Sequence, residues 1–269
     1  MKNVINAAVV SLILFTLAIT VQAQDWAKAR IDKSPRHMEW VDVKHGSRTV
    51  NCFVAYPEVK DKAPVVIVIH EIFGMTDWVR SVTDKLAEAG YIAIAPDLLS
   101  GMGPKGGGSS EFSGGDVRKA IGALPPDQIT ADLDATAKYA AHLPSANGKI
   151  VVGGFCWGGG QSFRYATHNK DLKAAFVFYG SPPEDSDALA KIGCPVYGFY
   201  GENDNRITST VEKTKTKMKE AAKTYEPVIY SKAGHGFMRE GEDPQSSNQA
   251  NKKAHDDAWK RWKELLAKM

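Results

Sequence analysis

The stretch PVVIVIH at 64–70 restricts the fold of this chain more than any other segment. A β-branched run without a polar position cannot leave one face in water. It has to be covered on both sides, which is the situation of an inner strand of a parallel sheet packed between helices. The sequence that follows supplies covers. Trp78, Val82, Leu86 and Ala89 share one helical face, and Gly90 marks a stop. The residues at 91–95 form a second short apolar strand. Pro126 and Asp127 open a helix that carries Ile129, Leu133, Ala137 and Ala141 on one side. Strands are expected at 149–153, 174–179, 195–200 and 226–231. Ser209 and Glu212 have the spacing of a capping box and predict a helix reaching about Ala222. Ala258, Trp259, Trp262, Leu265 and Leu266 form the core stripe of a last helix. Ahead of these units, 38–43 and 49–55 read as two strands joined by a turn at His45-Gly46-Ser47. Alternating strands and helices predict an α/β fold, a mostly parallel central sheet with helices on both faces, in one domain. The segment 100–115 (SGMGPKGGGSSEFSGG) has no periodicity and reads as a flexible surface loop, with a mobile flap over a site as the second reading.

The first 23 residues stand apart. Lys2 precedes an apolar run at 7–21 broken only by Ser11, Thr16 and Thr20, and Val21-Gln22-Ala23 has the form of a signal-peptidase site. This predicts a signal peptide at 1–23, an exported protein, periplasmic or secreted, and a mature domain at 24–269. A retained membrane anchor is the alternative reading of the same run. No later segment is apolar enough to cross a bilayer, so no stable membrane insertion is expected after cleavage. A net charge of +3 is too small to point to nucleic acid. A monomer without cofactor is expected. The three cysteines are too few for a disulfide framework. Cys52 and Cys194 lie in apolar, strand-like surroundings and read as buried small hydrophobes, with a bridge between them as the alternative.

Cys156 lies in Gly154-Phe155-Cys156-Trp157-Gly158, after a buried strand and before a helix. That is the nucleophile-elbow pattern with sulfur in place of oxygen. A nucleophile on so tight a turn needs glycine on either side, and the helix behind it turns its N-terminal N–H groups toward the thiolate. In this arrangement the acid and the histidine follow the nucleophile along the chain. His168 lies too far along the helix to reach back, and His255 sits among charges, so both read as solvated surface residues. His235, between two glycines directly after the last strand, is the candidate base. The acid is expected in the loop after the preceding strand, where Glu202 and Asp204 both qualify. Glu71-Ile72-Phe73-Gly74, after the 64–70 strand, occupies the turn that supplies one oxyanion N–H, and Trp157 supplies the other. His70-Glu71 lacks the spacing of a metal motif, so no metal is expected.

Five segments, HEIFG (70–74), APDLL (95–99), GFCWGG (154–159), YGENDNRI (200–207) and AGHGFMRE (233–240), together resemble the dienelactone hydrolase family of α/β-hydrolases. The resemblance implies a Cys156–Asp204–His235 triad and Ile72 as the second oxyanion donor. It implies that Glu71 contacts the resting thiol and swings away when substrate binds. It also implies a small-molecule ester or lactone substrate carrying a carboxylate, held by arginines of which Arg239 is one. A second arginine expected just after the PDL element is replaced here by Leu99 and Ser100. The expected activity is hydrolysis of a lactone or carboxylic ester. A thiol redox protein would need a resolving cysteine near Cys156, and the sequence has no C-x-x-C. A non-catalytic binding module of the same fold is the third reading.

Overall fold

The computed structural model describes residues 24–269; the expected signal peptide lies outside the described residues. Eight strands form one sheet: β1 (Met38–His45), β2 (Arg48–Ala55), β3 (Ala63–Ile69), β4 (Ile92–Pro96), β5 (Ala146–Phe155), β6 (Ala175–Phe178), β7 (Val196–Gly201) and β8 (Tyr225–Tyr230). Their spatial order is β1-β2-β4-β3-β5-β6-β7-β8. The β1–β2 hairpin and the β2–β4 pair are antiparallel, and every other pair is parallel. The helices are α1 (Asp25–Lys33), α2 (Asp77–Glu88), α3 (Asp116–Gly122), α4 (Pro126–Ala141), α5 (Trp157–His168), α6 (Ser186–Ala190), α7 (Asn205–Thr208), α8 (Val211–Glu220), α9 (Phe237–Glu240) and α10 (Gln249–Leu266).

Strand β3 shows why its sequence carries no polar position. Val65, Ile67 and Ile69 enter the core shared with α4, α5, α6 and α8. Val66 and Val68 enter the opposite core, built with α1, α2, α9 and α10. Successive side chains of a strand point to opposite faces, so a strand covered twice has no position left for water. The final helix buries Ala258, Trp259, Trp262, Leu265 and Leu266 as its stripe predicts. Trp262 packs edge-on against Phe155 and Phe178, directly behind the end of β5 that leads into Cys156.

Several expectations are corrected. The stripe on α4 ends on Ala140, which is fully buried, and Ala141 is only partly covered. The capping box does not form. Ser209 closes α7, Thr210 stands at the N-cap of α8, and the Thr210 hydroxyl donates back to the Ile207 carbonyl. Ahead of β1 lies α1, for which no helix was expected; it buries only Ala27 and Ile31, one turn apart, against α2. His255 is buried, with Nδ1 on Asp256 and Nε2 3.7 Å from Glu242. The glycine-rich segment is tied down. The Asp97 carboxylate accepts from Ser109 N–H and hydroxyl, and Glu111 accepts from the Lys105 and Gly107 N–H groups. The three cysteines are free. Cys52 on β2 and Cys194 before β7 are five strands apart, about 24 Å at the usual spacing, far beyond disulfide reach. Burial pushes both thiols up, Cys52 to about 12 and Cys194 to about 11.

Candidate active site

The parallel strands end together, and their C-terminal loops carry the chemistry. Strand β5 runs into Cys156, whose backbone is held at φ 55° and ψ −117°. A non-glycine residue with positive φ is costly and persists only where its surroundings enforce it. Here they do. A Cβ on Gly154 would strike the Gly158 carbonyl, and one on Gly158 would strike the carbonyls of Ile69 and His70. The two glycines let α5 start against the end of β3, with Cys156 at the apex between them.

His235 follows β8 and meets the elbow. Its Nε2 lies 3.1 Å from Cys156 Sγ, and its Nδ1 lies 2.5 Å from Asp204 Oδ2. With Nδ1–H donating to the buried carboxylate, Nε2 faces the sulfur and can take its proton. Of the two carboxylates left open by the sequence, Asp204, at the end of the β7 loop, is the one that reaches His235. Glu202 is exposed and instead accepts from the Ser231 hydroxyl and Lys232 N–H. Burial pulls the His235 pKa down, but the hydrogen bonds to Asp204 and Cys156 outweigh it and raise it to about 9. The contacts thus stabilise the protonated form of the His235 imidazole.

Ile72 follows β3, and Trp157 is the first residue of α5. Neither backbone N–H has a hydrogen-bond partner among the described residues, and a first-turn helix N–H has no intrahelical acceptor. Both residues line a cavity of about 450 Å³ that opens on Cys156. The cavity also holds Tyr179, Gln161, Arg164 and Arg206. Trp157 stacks on His70 with ring centres 5.5 Å apart, which braces its indole. His70 is fully buried, its pKa is lowered by desolvation, and as a neutral ring it accepts from Leu98 N–H.

Glu71 departs from the expectation that it contacts the resting thiol. Its carboxylate accepts from Arg239 Nε at 2.9 Å and from the Tyr179 hydroxyl at 3.4 Å, while the sulfur pairs with His235. A fixed guanidinium offers a charge-assisted bond that a neutral thiol cannot match. Burial raises the Glu71 pKa and Arg239 opposes that rise. Arg239, on α9, is thereby committed to Glu71, with Phe73 5.4 Å from its guanidinium carbon.

The sequence did not single out two supports. Tyr179 is fully buried at φ 41°, with its ring edge-on to His235. Its place at the end of an apolar strand, just before Gly180, was the only signal. Asn251 of α10 accepts from Gly234 N–H and donates to Glu240, bracing the loop that carries His235. Nothing in the local sequence marks it.

This geometry can be set beside known proteins. The sequence model of the dienelactone hydrolase family matches residues 50–269. The chain belongs to the dienelactone hydrolase family. A Salmonella typhimurium protein named "Putative carboxymethylenebutenolidase" is 36% identical over 200 residues, covering 69% of this chain and 72% of that protein. A Saccharolobus solfataricus protein of the same name is 30% identical over 253 residues, covering 82% and 94%. The crystal structure named "Putative Dienelactone Hydrolase" from Klebsiella pneumoniae superposes with a TM-score of 0.76 at 30% identity, covering 87% of this chain and 99% of that one. The family's fold, the α/β-hydrolase fold, is the one described above.

Proposed function

We propose that this member of the dienelactone hydrolase family hydrolyses a lactone or carboxylic ester through a covalent thioester on Cys156. The observation that carries the reading is the unbroken line Asp204–His235–Cys156, with contacts of 2.5 and 3.1 Å, ending at a positive-φ elbow inside a cavity. The Cys156 thiolate attacks the carbonyl carbon, and its oxygen becomes an oxyanion facing the Ile72 and Trp157 N–H groups. The C–O bond breaks, and His235 passes its proton to the departing alkoxide. Neutral His235 then takes a proton from water. The hydroxide attacks the thioester, the acid leaves, and the thiolate returns beside a protonated His235. Asp204 keeps Nε2 toward the sulfur throughout and does not take the proton itself. Glu71, held by Arg239, leaves the Cys156 sulfur to His235.

The test uses the purified chain and a small activated ester. Cys156→Ala and His235→Ala each lower kcat/KM by about 10³-fold or more, the scale on which triad members act. Undiminished turnover in either variant removes the triad.

A further inference from the structure

We infer that the open face of the β1–β2 hairpin is a saccharide-binding site. In the register of this pair Trp40 stands opposite Phe53, and Asp42 opposite Asn51. Strand residues alternate between faces, so these four share one face, while Val41, Val43, Val50, Cys52 and Val54 share the other. The valine face packs into the core with α4. The face with Trp40 meets no such cover. Trp40, Asp42 and Asn51 line a cavity of about 650 Å³, in the size range of small-molecule sites, walled by Arg80 of α2 and by Gly106, Gly107 and Gly108. Trp40 is 45% exposed there, whereas β4 and β6 are buried along their whole length. None of these residues lines the cavity over Cys156, so the inference stands apart from the hydrolase reading.

The polar groups of this cavity are partly spent on one another, and what remains includes both donors and acceptors. Asn51 Nδ2 donates to Asp42 Oδ1 at 3.0 Å, which leaves the second Asp42 oxygen and the Asn51 amide oxygen as acceptors. Arg80 donates to Asp77 through one terminal nitrogen and keeps its other N–H groups. Asp97 is engaged by Ser109 and by the Leu99 N–H. An anion entering the cavity would meet three carboxylates. A cation would meet the Arg80 guanidinium, with Asp77 and Asp97 already held and Asp42 alone to attract it. A neutral ring rich in hydroxyls meets neither obstacle. Each hydroxyl both donates and accepts, so two neighbouring hydroxyls can give to Asp42 and receive from Arg80. The C–H face of a sugar ring packs on an aromatic plane, and the Trp40 indole is already oriented by Phe53, with ring centres 5.3 Å apart.

The glycine-rich segment gains a role in the same place. A Cβ on Gly107 would strike the Glu111 carboxylate, and one on Gly108 would strike the Asp97 carboxylate that ties the segment down. Gly103 and Gly107 are joined by a backbone hydrogen bond, which closes the turn. The chain therefore presents bare backbone along one wall, and a ligand ring can approach it closely. A wall that is fixed before the ligand arrives adds no ordering cost to binding.

The experiment titrates the purified chain calorimetrically with cellotetraose, xylotetraose, maltotetraose and tetra-N-acetylchitotetraose. The wild type binds at least one of the four, with an affinity that sodium chloride does not change. Asp42→Ala and Trp40→Ala each weaken that binding by about tenfold or more, and Trp40→Phe restores part of it. Turnover of a small activated ester stays at the wild-type level in both variants, since neither residue lines the cavity over Cys156. Trp40 also covers Phe53, so the exposed Asp42 is the decisive position if the Trp40 variants do not fold. Absence of binding with all four sugars, or equal affinity in Asp42→Ala, overturns the site. Spermidine is titrated alongside. If it binds in a salt-sensitive way that Asp42→Ala removes, while no sugar binds, the cavity holds cations and the saccharide site falls.

Discussion

Two cation–carboxylate pairs stand side by side at the C-terminal edge of the sheet. In one, His235 meets Asp204; in the other, Arg239 meets Glu71. Both carboxylates are buried, and both contacts are short. What differs is the cation. An imidazole can give up its proton and has a second nitrogen, which faces Cys156. A guanidinium holds its proton at every accessible pH and presents only donors. The same buried motif can therefore move a proton in the first pair and can only hold a side chain still in the second. Charge pairing near a nucleophile does not by itself mark a catalytic group; the pair must contain a member that titrates and that touches the reacting atom.

Removing the carboxylate from each pair is the sharpest way to break this comparison. Asp204→Asn keeps the shape and loses the charge that fixes the His235 tautomer. It is expected to lower kcat/KM for a neutral ester by about 10²- to 10⁴-fold, with only a small change in thermal midpoint. A variant that retains its rate would make the two pairs equivalent in kind.

The sequence showed the first pair far better than the second. His235 and Asp204 follow Cys156 in the order the elbow demands, and each comes directly after a strand that can be recognised by its own apolar run. Gly154 and Gly158 announced the elbow because nothing larger fits there. Strand β3 was legible because a strand covered on both faces has no polar position. The Glu71–Arg239 contact was not, because it joins residues far apart in the chain and depends on which of two partners, thiol or guanidinium, attracts a buried carboxylate more strongly. Ser209 misled for a related reason: the residue with the spacing of a cap already closes the preceding turn, α7, through its backbone N–H. His255 looked solvated among its charged neighbours, yet the packing of α10 places it under Glu242 and beside Trp259. Arg164 gave no sign at all, since its half-buried position follows from α5 crossing α4 and not from any local pattern.

The second pair should show itself in stability. Glu71→Ala leaves the Arg239 guanidinium partly buried without its carboxylate, a loss of about 3 kcal/mol for a broken buried pair. For a domain of this size that corresponds to a fall in Tm of roughly 6–12 °C. Glu71→Gln keeps a hydrogen-bond acceptor for Arg239 and falls less. A drop for Asp204→Asn that matched or exceeded the one for Glu71→Ala would reverse the division of labour argued here.

The smallest effect separates the two cations by pH. The folded-state pKa of His235 is raised to about 9, above the ordinary 6.5 it has in the unfolded chain. Below about pH 6.5 both states bind the proton and the pairing contributes its full stability. Between about 6.5 and 9 the folded state holds a proton that the unfolded state has released, so stability falls as pH rises through that window. Arg239 contributes no such slope, because its proton stays on in both states. Urea midpoints at pH 6.5 and pH 9 should therefore differ more in the wild type than in His235→Gln, by an amount equivalent to a few degrees in Tm. The Arg239→Lys variant should keep the wild-type slope while shifting the whole curve down. An unchanged slope in His235→Gln would mean that the proton on the imidazole is not held by Asp204 and Cys156, and the functional contrast between the two pairs would lose its electrostatic basis.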